Sequence, residues 1–318
     1  MVAPGQYSAR VIDLHTHSSY SDGSDTPAEL AQKAHQIGLS AIALTDHDTT
    51  ASQPEMAEAC GRLGVELVTG VEVSLRENAF PMIRDGHVAP RNVHLLGYFM
   101  PLDPAHPLQV KLAALRGDRE VRNVALVQVL QERGFELLTL EYLTALAGTR
   151  ESIGRPHFAR AMFELHPEIV GEHSDENWNR VFIEWLGTGG KAYIPKTSIP
   201  LEDFVDAGRG SGAVFSIAHP LVNYLDNISS TAVQTTMPRV MASLRERGVQ
   251  GIEAYYGSTN PTTRALMVKL TRDVGMIPTG GSDYHGSYKE DIALGFGRTG
   301  DLRVPDEVLD ELKAARFS

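Results

Sequence analysis

The stretch Val11–Asp48 constrains this chain most, because it reads as a strand, a helix and a second strand with imidazoles at both strand ends. The first run, Val11–His17, ends in His15-Thr16-His17, and the second, Ala41–Asp46, leads into Asp46-His47-Asp48. Residues at i and i+2 on a strand point to the same face, so His15 and His17 can reach one metal ion. Between the runs, Thr26-Pro27-Ala28-Glu29 has the form of a capping box with proline at the first helical position, and Gly38 supplies the stop. Two strands that each carry imidazole at the C-terminal end describe a metal site at the mouth of an α/β barrel.

The alternation continues with a helix from about Pro54 to Leu63 and strands over Glu66–Leu75 and Val93–Met100. The polar segment Asn78–Arg91 between these strands contains Asp85-Gly86 and reads as a hairpin excursion. From about Pro104 to Pro200 there is little strand signal, whereas Val110–Arg133, Leu140–Ala147, His157–Leu165 and Asn177–Leu186 look helical. Alternation then resumes. Ala213–Ala218 is strand-like and ends in His219-Pro220, Pro238–Arg247 is helical, and Gly251–Tyr256 is a strand. Pro261–Val274 is a helix, Met276–Gly280 leads into Gly281-Ser282-Asp283-Tyr284-His285, and a helix follows Pro305. The resumption makes the middle an insertion: residues 1–103 and 201–318 form a discontinuous barrel, and 104–200 form a helical insertion or cap.

At 318 residues the chain is long enough for one large domain carrying such an insertion. Its formal net charge of −11 argues against a long nucleic-acid duplex as partner, since phosphate-tracking surfaces are basic. A small anionic ligand stays compatible where metal and arginine cluster locally. Cys60 is the sole cysteine, which excludes an intrachain disulfide and a thiolate zinc cluster, so any metal must be held by His and carboxylates. The start shows no secretory apolar region and no run approaches the ~18 apolar residues of a membrane span, so a cytoplasmic location is expected. The oligomeric state is not legible.

Every remaining strand end carries a candidate ligand: Asp22 after the first strand, then Glu72, His94, His219, Asp283 and His285. With His15, His17 and His47 these make six His, two Asp and one Glu, a set suited to three closely spaced divalent ions if a carboxylate bridges. His87 competes with His94 but sits in the polar excursion. Asp46 and Asp48 flank His47, where each either orients a ligand or makes a structural hydrogen bond. His35, His106, His166 and His173 lack a motif context and read as surface or packing residues. Ser18 and Ser282 lack the base–orienter pair that a nucleophilic serine needs.

Taken in order, HTHSSYSDG, LTDHDT, GVE, HLLGY, AHP and GSDYH resemble the PHP (polymerase and histidinol phosphatase) family of metal-dependent phosphoesterases, over residues 11–103 and about 213–288. The resemblance implies a distorted (β/α)7 TIM-like barrel, here with a helical insertion domain. It implies a first metal on His15, His17, Glu72 and Asp283, a second on Glu72, His94 and His219, and a third on Asp22, His47 and His285. Two to three divalent ions are therefore expected, with Mn, Zn and Fe all suited to these donors. Such ions neutralise a phosphomonoester's charge and lower the pKa of bound water from about 15.7 to ~7. Two features depart from the family pattern: Thr50-Ala51-Ser52 follows DHDT without a glycine, and Asn78–Arg91 exceeds a tight hairpin. Both leave the ligands in place and reshape the rim.

Within the family, LTDHDT together with Gly154-Arg155-Pro156-His157 in the insertion looks like a branch that acts on nucleoside 3′,5′-bisphosphates, some members removing 5′ nucleotides from short RNA. The expected reaction is loss of the 3′-phosphate to give a 5′-monophosphate, by attack of a metal-bridging hydroxide. Arg155 and His157 are candidates for phosphate contacts, because a guanidinium fork matches phosphate oxygens. The leaving-group acid is either His157 or a metal-bound water, Tyr20 is a candidate for the entrance, and Lys196 a weaker phosphate contact. The rival hydrolase readings are a 5′–3′ exonuclease on short RNA ends and a histidinol-phosphate phosphatase. The rival of another class is a non-catalytic, metal-stabilised binding module, against which the complete ligand set argues.

Overall fold

The computed structural model describes residues 11–84, 87–195, 198–225 and 227–317. Its strands are β1 (Val11–Thr16), β2 (Leu39–Leu44), β3 (Glu66–Arg84), β4 (His87–Tyr98), β5 (Val214–Ile217), β6 (Gly251–Tyr256), β7 (Ile277–Gly281) and β8 (Val304–Pro305). They form one sheet in the order β7-β6-β5-β4-β3-β2-β1-β8. The pairs β1–β2, β2–β3, β5–β6 and β6–β7 are parallel, whereas β4 runs antiparallel to both β3 and β5. That reversed strand is the distortion in an otherwise parallel wall. Two residues of β8 pair antiparallel along the start of β1.

The sheet almost closes. Past the end of β1, His17 N–H donates to Tyr284 O, and Asp283 N–H donates to His15 O, each at 2.9 Å. The seam requires glycine at 281, where a Cβ would stand 2.4 Å from the backbone nitrogen of His15. Closure brings the C-terminal ends of the parallel strands to one rim. Because β4 runs the other way, its rim residue lies before the strand's end: His94 pairs with Ser74, two residues beyond Glu72. The β3–β4 pair then continues past the rim as a ribbon, so the polar excursion is an extension of the sheet and both strands are longer than the sequence suggests.

The helices are α1 (Pro27–Ile37), α2 (Gln53–Leu63), α3 (Pro107–Gln131), α4 (Leu140–Ala147), α5 (Arg155–Leu165), α6 (Pro167–Val170), α7 (Asp175–Val181), α8 (Leu201–Ala207), α9 (Pro220–Tyr224), α10 (Ser230–Glu246), α11 (Pro261–Asp273) and α12 (Glu307–Ala314), with a π-helical turn over Phe182–Leu186. The capping box is present at α1: Thr26 Oγ1 accepts from Glu29 N–H, and Gly38 closes the helix at φ 79°. The expected start of a helix at Pro238 is corrected. α10 begins at Ser230, capped by Ser229, and Pro238 stands inside it. Its buried stripe of Val233, Met237, Val240, Met241 and Leu244 spans both sides of the proline, and burial at ~1.5–3 kcal/mol per side chain outweighs a loss of about 3 kcal/mol.

Around the barrel, Val71, Leu95, Phe204, Phe215 and Ile217 belong to one apolar cluster, which also takes Leu108, Leu112 and Leu115 from the first half of α3. Leu126, Val127 and Leu130, from its second half, belong to another cluster with Phe135, Phe158 and Met162. One continuous helix thus enters two cores. No helix among the described residues is long and apolar enough to cross a membrane. Asp85-Gly86 and Lys196 lie outside the described residues.

Candidate metal centre

At the centre of the rim stands Glu72, 1% exposed. Its Oε2 lies 3.2 Å from His15 Nε2, 3.1 Å from His17 Nε2 and 3.4 Å from His47 Nδ1. Its Oε1 lies 2.7 Å from His94 Nδ1 and 3.0 Å from His219 Nε2. One carboxylate therefore meets five imidazoles, three on one oxygen and two on the other. A second group forms on Asp22, whose Oδ1 is 3.5 Å from His17 Nδ1 and 3.4 Å from His285 Nε2, and whose Oδ2 is 3.6 Å from His47 Nε2. Asp283 Oδ1 lies 3.5 Å from His15, 3.6 Å from His17 and 3.5 Å from His285.

All nine candidate ligands thus converge. The sets that can surround one ion are His17, Asp22, His47 and His285; His15, His17 and Glu72; and His47, Glu72 and His94. His17 and His47 each fall in two sets, so the groups overlap more than the three implied by resemblance. The donors fit divalent cations by chemistry and by need. Asp22 Oδ1 and His47 Nδ1 are buried without a hydrogen-bond partner among the described residues, and both face the clusters.

Electrostatics fit at Glu72, Asp22, His47 and His285, whereas His15 and His17 are held above their ordinary value. Burial raises the carboxyls of Glu72 and Asp22, but the surrounding imidazoles prevail and hold both well below the usual range. Burial pushes His47 down to about 3, against the pull of Glu72 and Asp22, and it lowers His285 too, helped by Lys289. Ionised carboxylates beside neutral imidazoles are the donor state that a metal requires. Burial also lowers His15, yet Glu253, Glu72 and Asp283 raise it well above its ordinary value.

The local fold explains the convergence. Asp46 accepts from Ser18 N–H at 2.8 Å, Ser18 Oγ and Ser21 Oγ at 2.7 Å, and Ser52 Oγ at 2.5 Å, which ties the Asp22 loop to the end of β2. Asp48 accepts from Ser74 N–H at 3.2 Å and pairs with Arg119. Both aspartates beside His47 are therefore anchors. Asp48, His219 and Asp283 have φ of 56°, 29° and 59°, left-handed values that cost a non-glycine residue on the order of 1–3 kcal/mol and cluster at functional sites.

Arg155, at the start of α5, lines the cleft beside Asp22, His47 and His94. His157 is buried, and its Nδ1 accepts from Gly154 N–H at 3.0 Å. Tyr20 is directed elsewhere: its hydroxyl donates to Glu55 Oε2 of α2 at 3.3 Å. His106 caps α3, His166 accepts from Leu137 N–H, and His173 packs on Phe163 and Trp178, in line with structural roles. The side chain of His87 is outside the described set.

Several residues at the site have no counterpart in the sequence reading. Glu253 Oε1 lies 2.8 Å from His15 Nδ1, and its Oε2 accepts from His219 N–H at 2.6 Å. Tyr256 Oη and Lys289 Nζ reach Asp283 Oδ2 at 3.1 and 2.9 Å. Arg119 and Arg122 of α3 line the cleft with Arg155. Glu253 had a signal, being a lone carboxylate between Ile252 and Ala254 in an apolar strand.

Buried imidazoles and carboxylates converging on the rim of a nearly closed, mostly parallel sheet define a class, the metal-dependent hydrolases built on an α/β barrel. The PHP domain family matches residues 13–172. The chain is 30% identical to a 3′,5′-nucleoside bisphosphate phosphatase of Chromobacterium violaceum, across 86% of this chain and 87% of that protein. It is 28% identical to a 5′-3′ exoribonuclease of Escherichia coli, across 87% of this chain and 86% of that one. A solved structure from Bifidobacterium adolescentis, assigned to the metal-dependent phosphoesterases, superposes with a TM-score of 0.74 at 27% identity and covers 96% of both chains. The chain belongs to the PHP family, and it is a hydrolase acting on phosphoric ester bonds.

Proposed function

We propose that this enzyme removes the 3′-phosphate of nucleoside 3′,5′-bisphosphates, leaving a nucleoside 5′-monophosphate and phosphate. The observation that carries the reading is the shared carboxylate of Glu72, with imidazoles on both oxygens, two of which, His47 and His94, line a cleft together with Arg155. In this reading His15, His17, Asp22, His47, Glu72, His94, His219, Asp283 and His285 hold two to three divalent ions, Mn, Zn or Fe, in a cytoplasmic enzyme. When bound, such ions neutralise phosphate charge and supply hydroxide at neutral pH.

The chain's own groups do the rest. Glu253 on His15 Nδ1 fixes that ring with Nε2 toward the cluster. The Arg155 fork orients phosphate oxygens. His157 accepts from Gly154 on Nδ1, so Nε2 carries its proton, and burial lowers its pKa. We therefore assign His157 a hydrogen bond to substrate in its neutral form and not the role of leaving-group acid. Trp178, Phe182 and Tyr288 give the cleft an apolar wall that excludes water and can face a nucleobase. Residues 104–200 act as the cap on a barrel of 1–103 and 201–318.

The test is phosphate release from adenosine 3′,5′-bisphosphate by Mn-loaded protein, with histidinol phosphate and a 5′-phosphorylated RNA pentamer in parallel. Fast turnover of the bisphosphate, abolished by His17→Ala with the fold retained, is expected. Shortening of the pentamer alone would make the enzyme an exonuclease. Silence on all three with metal bound would favour a binding module or another phosphoester.

A further inference from the structure

The turn that follows the last ligand motif carries a lysine into the metal cleft. Gly286–Lys289 is a single 3-10 turn directly after His285. It is tied to the loop of Asp22 on both sides of Gly286: Ser24 N–H donates to His285 O at 3.0 Å, and Ser287 N–H donates to Ser24 Oγ at 2.8 Å. Gly286 has φ 67°, and a Cβ there would overlap Ser24 Oγ. Lys289 is therefore held from a fixed frame. It lines the cleft together with Glu72, His94, His219 and Asp283. Its side chain is 38% exposed, so a ligand in the cleft can reach it.

An ammonium has three N–H donors. One goes to Asp283 Oδ2 at 2.9 Å, and no other described residue accepts from Lys289. A counter-ion role does not account for it. The carboxylates at the centre are Asp22, Glu72, Glu253 and Asp283. Two or three divalent ions bring at least as much positive charge as these carry. A further ammonium is then balanced by an anion from outside, and its spare donors stand beside the residues that would hold the scissile phosphate on its metals. Charge-assisted N–H···O bonds count most where negative charge develops in the transition state.

We propose that Lys289 is a catalytic residue whose ammonium donates to a non-bridging oxygen of the scissile phosphate, while Asp283 Oδ2 holds it in place. The proposal rests on the phosphatase reading for the identity of the substrate. Tyr256 supplies the control. It donates to the same carboxylate oxygen at 3.1 Å but is not among the residues lining the cleft, so Tyr256→Phe registers the loss of Asp283 positioning alone.

The experiment compares wild type, Lys289→Met, Lys289→Arg and Tyr256→Phe at saturating Mn, on adenosine 3′,5′-bisphosphate and on p-nitrophenyl phosphate. Lys289→Met should lower kcat by about 100-fold or more on both substrates, at least about tenfold beyond Tyr256→Phe, and Lys289→Arg should recover part of the loss. Equal effects of Lys289→Met and Tyr256→Phe would make the lysine a positioning residue only and overturn the proposal. A loss that spares p-nitrophenyl phosphate, whose leaving group needs no proton, would move the contact to the leaving oxygen and also overturn it. A second readout needs no turnover: inorganic phosphate is titrated into the Mn-loaded proteins by calorimetry. Phosphate should bind Lys289→Met about tenfold more weakly than Tyr256→Phe. That difference supports the contact even if wild type leaves the bisphosphate intact, an outcome that would sink only the phosphatase reading. Equal phosphate affinities in the two variants would overturn the contact.

Discussion

Asp283 has its two oxygens in different company: Oδ2 takes Tyr256 and Lys289, while Oδ1 faces three imidazoles. Groups that hold a ligand by its far atom fix its aim, and their loss typically costs about 10- to 100-fold in metal affinity. Tyr256→Phe and Lys289→Met should each weaken Mn or Zn binding, read by competition with a chromogenic chelator, and Glu253→Gln should do the same through His15. Unaltered affinity in all three would show that the donors are set by the barrel alone. The convergence of the candidate ligands was legible in the sequence because a strand's period of two places His15 with His17, and the turn after β7 brings Asp283 Oδ1 to 3.5 Å from His285 Nδ1. Tyr256 and Lys289 were not legible, since nothing local distinguishes a tyrosine ending a strand or a lysine ending a single 3-10 turn from its surface equivalents.

Among the elements, the β1–β7 seam tolerates little change. At Gly281 a Cβ would meet His15 N at 2.4 Å and His15 Cβ at 2.5 Å, with no flexible side-chain end to give way. Gly281→Ala should cost upward of about 1–3 kcal/mol and disturb His15 directly, so that thermal midpoint and metal affinity fall together. A melt indistinguishable from wild type would mean that the seam is looser than its geometry. The helix α3 illustrates what sequence withholds. Arg116, Arg119 and Arg122 recur every three residues without forming a motif, yet Arg116 donates to Asp48 O at 3.0 Å and Arg119 pairs with the Asp48 carboxylate. Only the docking of α3 against the loop after β2 turns that face into a wall of the site. Similarly, Pro238 carries the local signature of a helix start, and only the buried stripe through it shows otherwise.

At the scale of the whole molecule, two apolar cores share one helix, one around the barrel and one among Leu126, Leu130, Phe135, Phe158 and their neighbours. Phe135 is fully buried in the second core, so Phe135→Ala should remove about 3–5 kcal/mol from it. Because Arg155 depends on that core for position, bisphosphate turnover should fall while metal still binds the barrel. Loss of both together, in a single unfolding step, would mean that the two cores act as one cooperative unit.

The seam has a consequence for how the protein is born. Asp13 accepts from Ser282, 269 positions later in the chain, and the first and last metal motifs meet across the same junction. At about 5–20 residues per second, a ribosome makes the His15–His17 motif on the order of ten seconds or more before the residues that complete its coordination. On the proposed ligand set, the nascent chain keeps its earliest histidines unoccupied or loosely occupied until the turn after β7 emerges. Metal acquisition therefore belongs to the end of synthesis, and a truncated chain lacking β7 should leave the ribosome without a lasting cargo of metal.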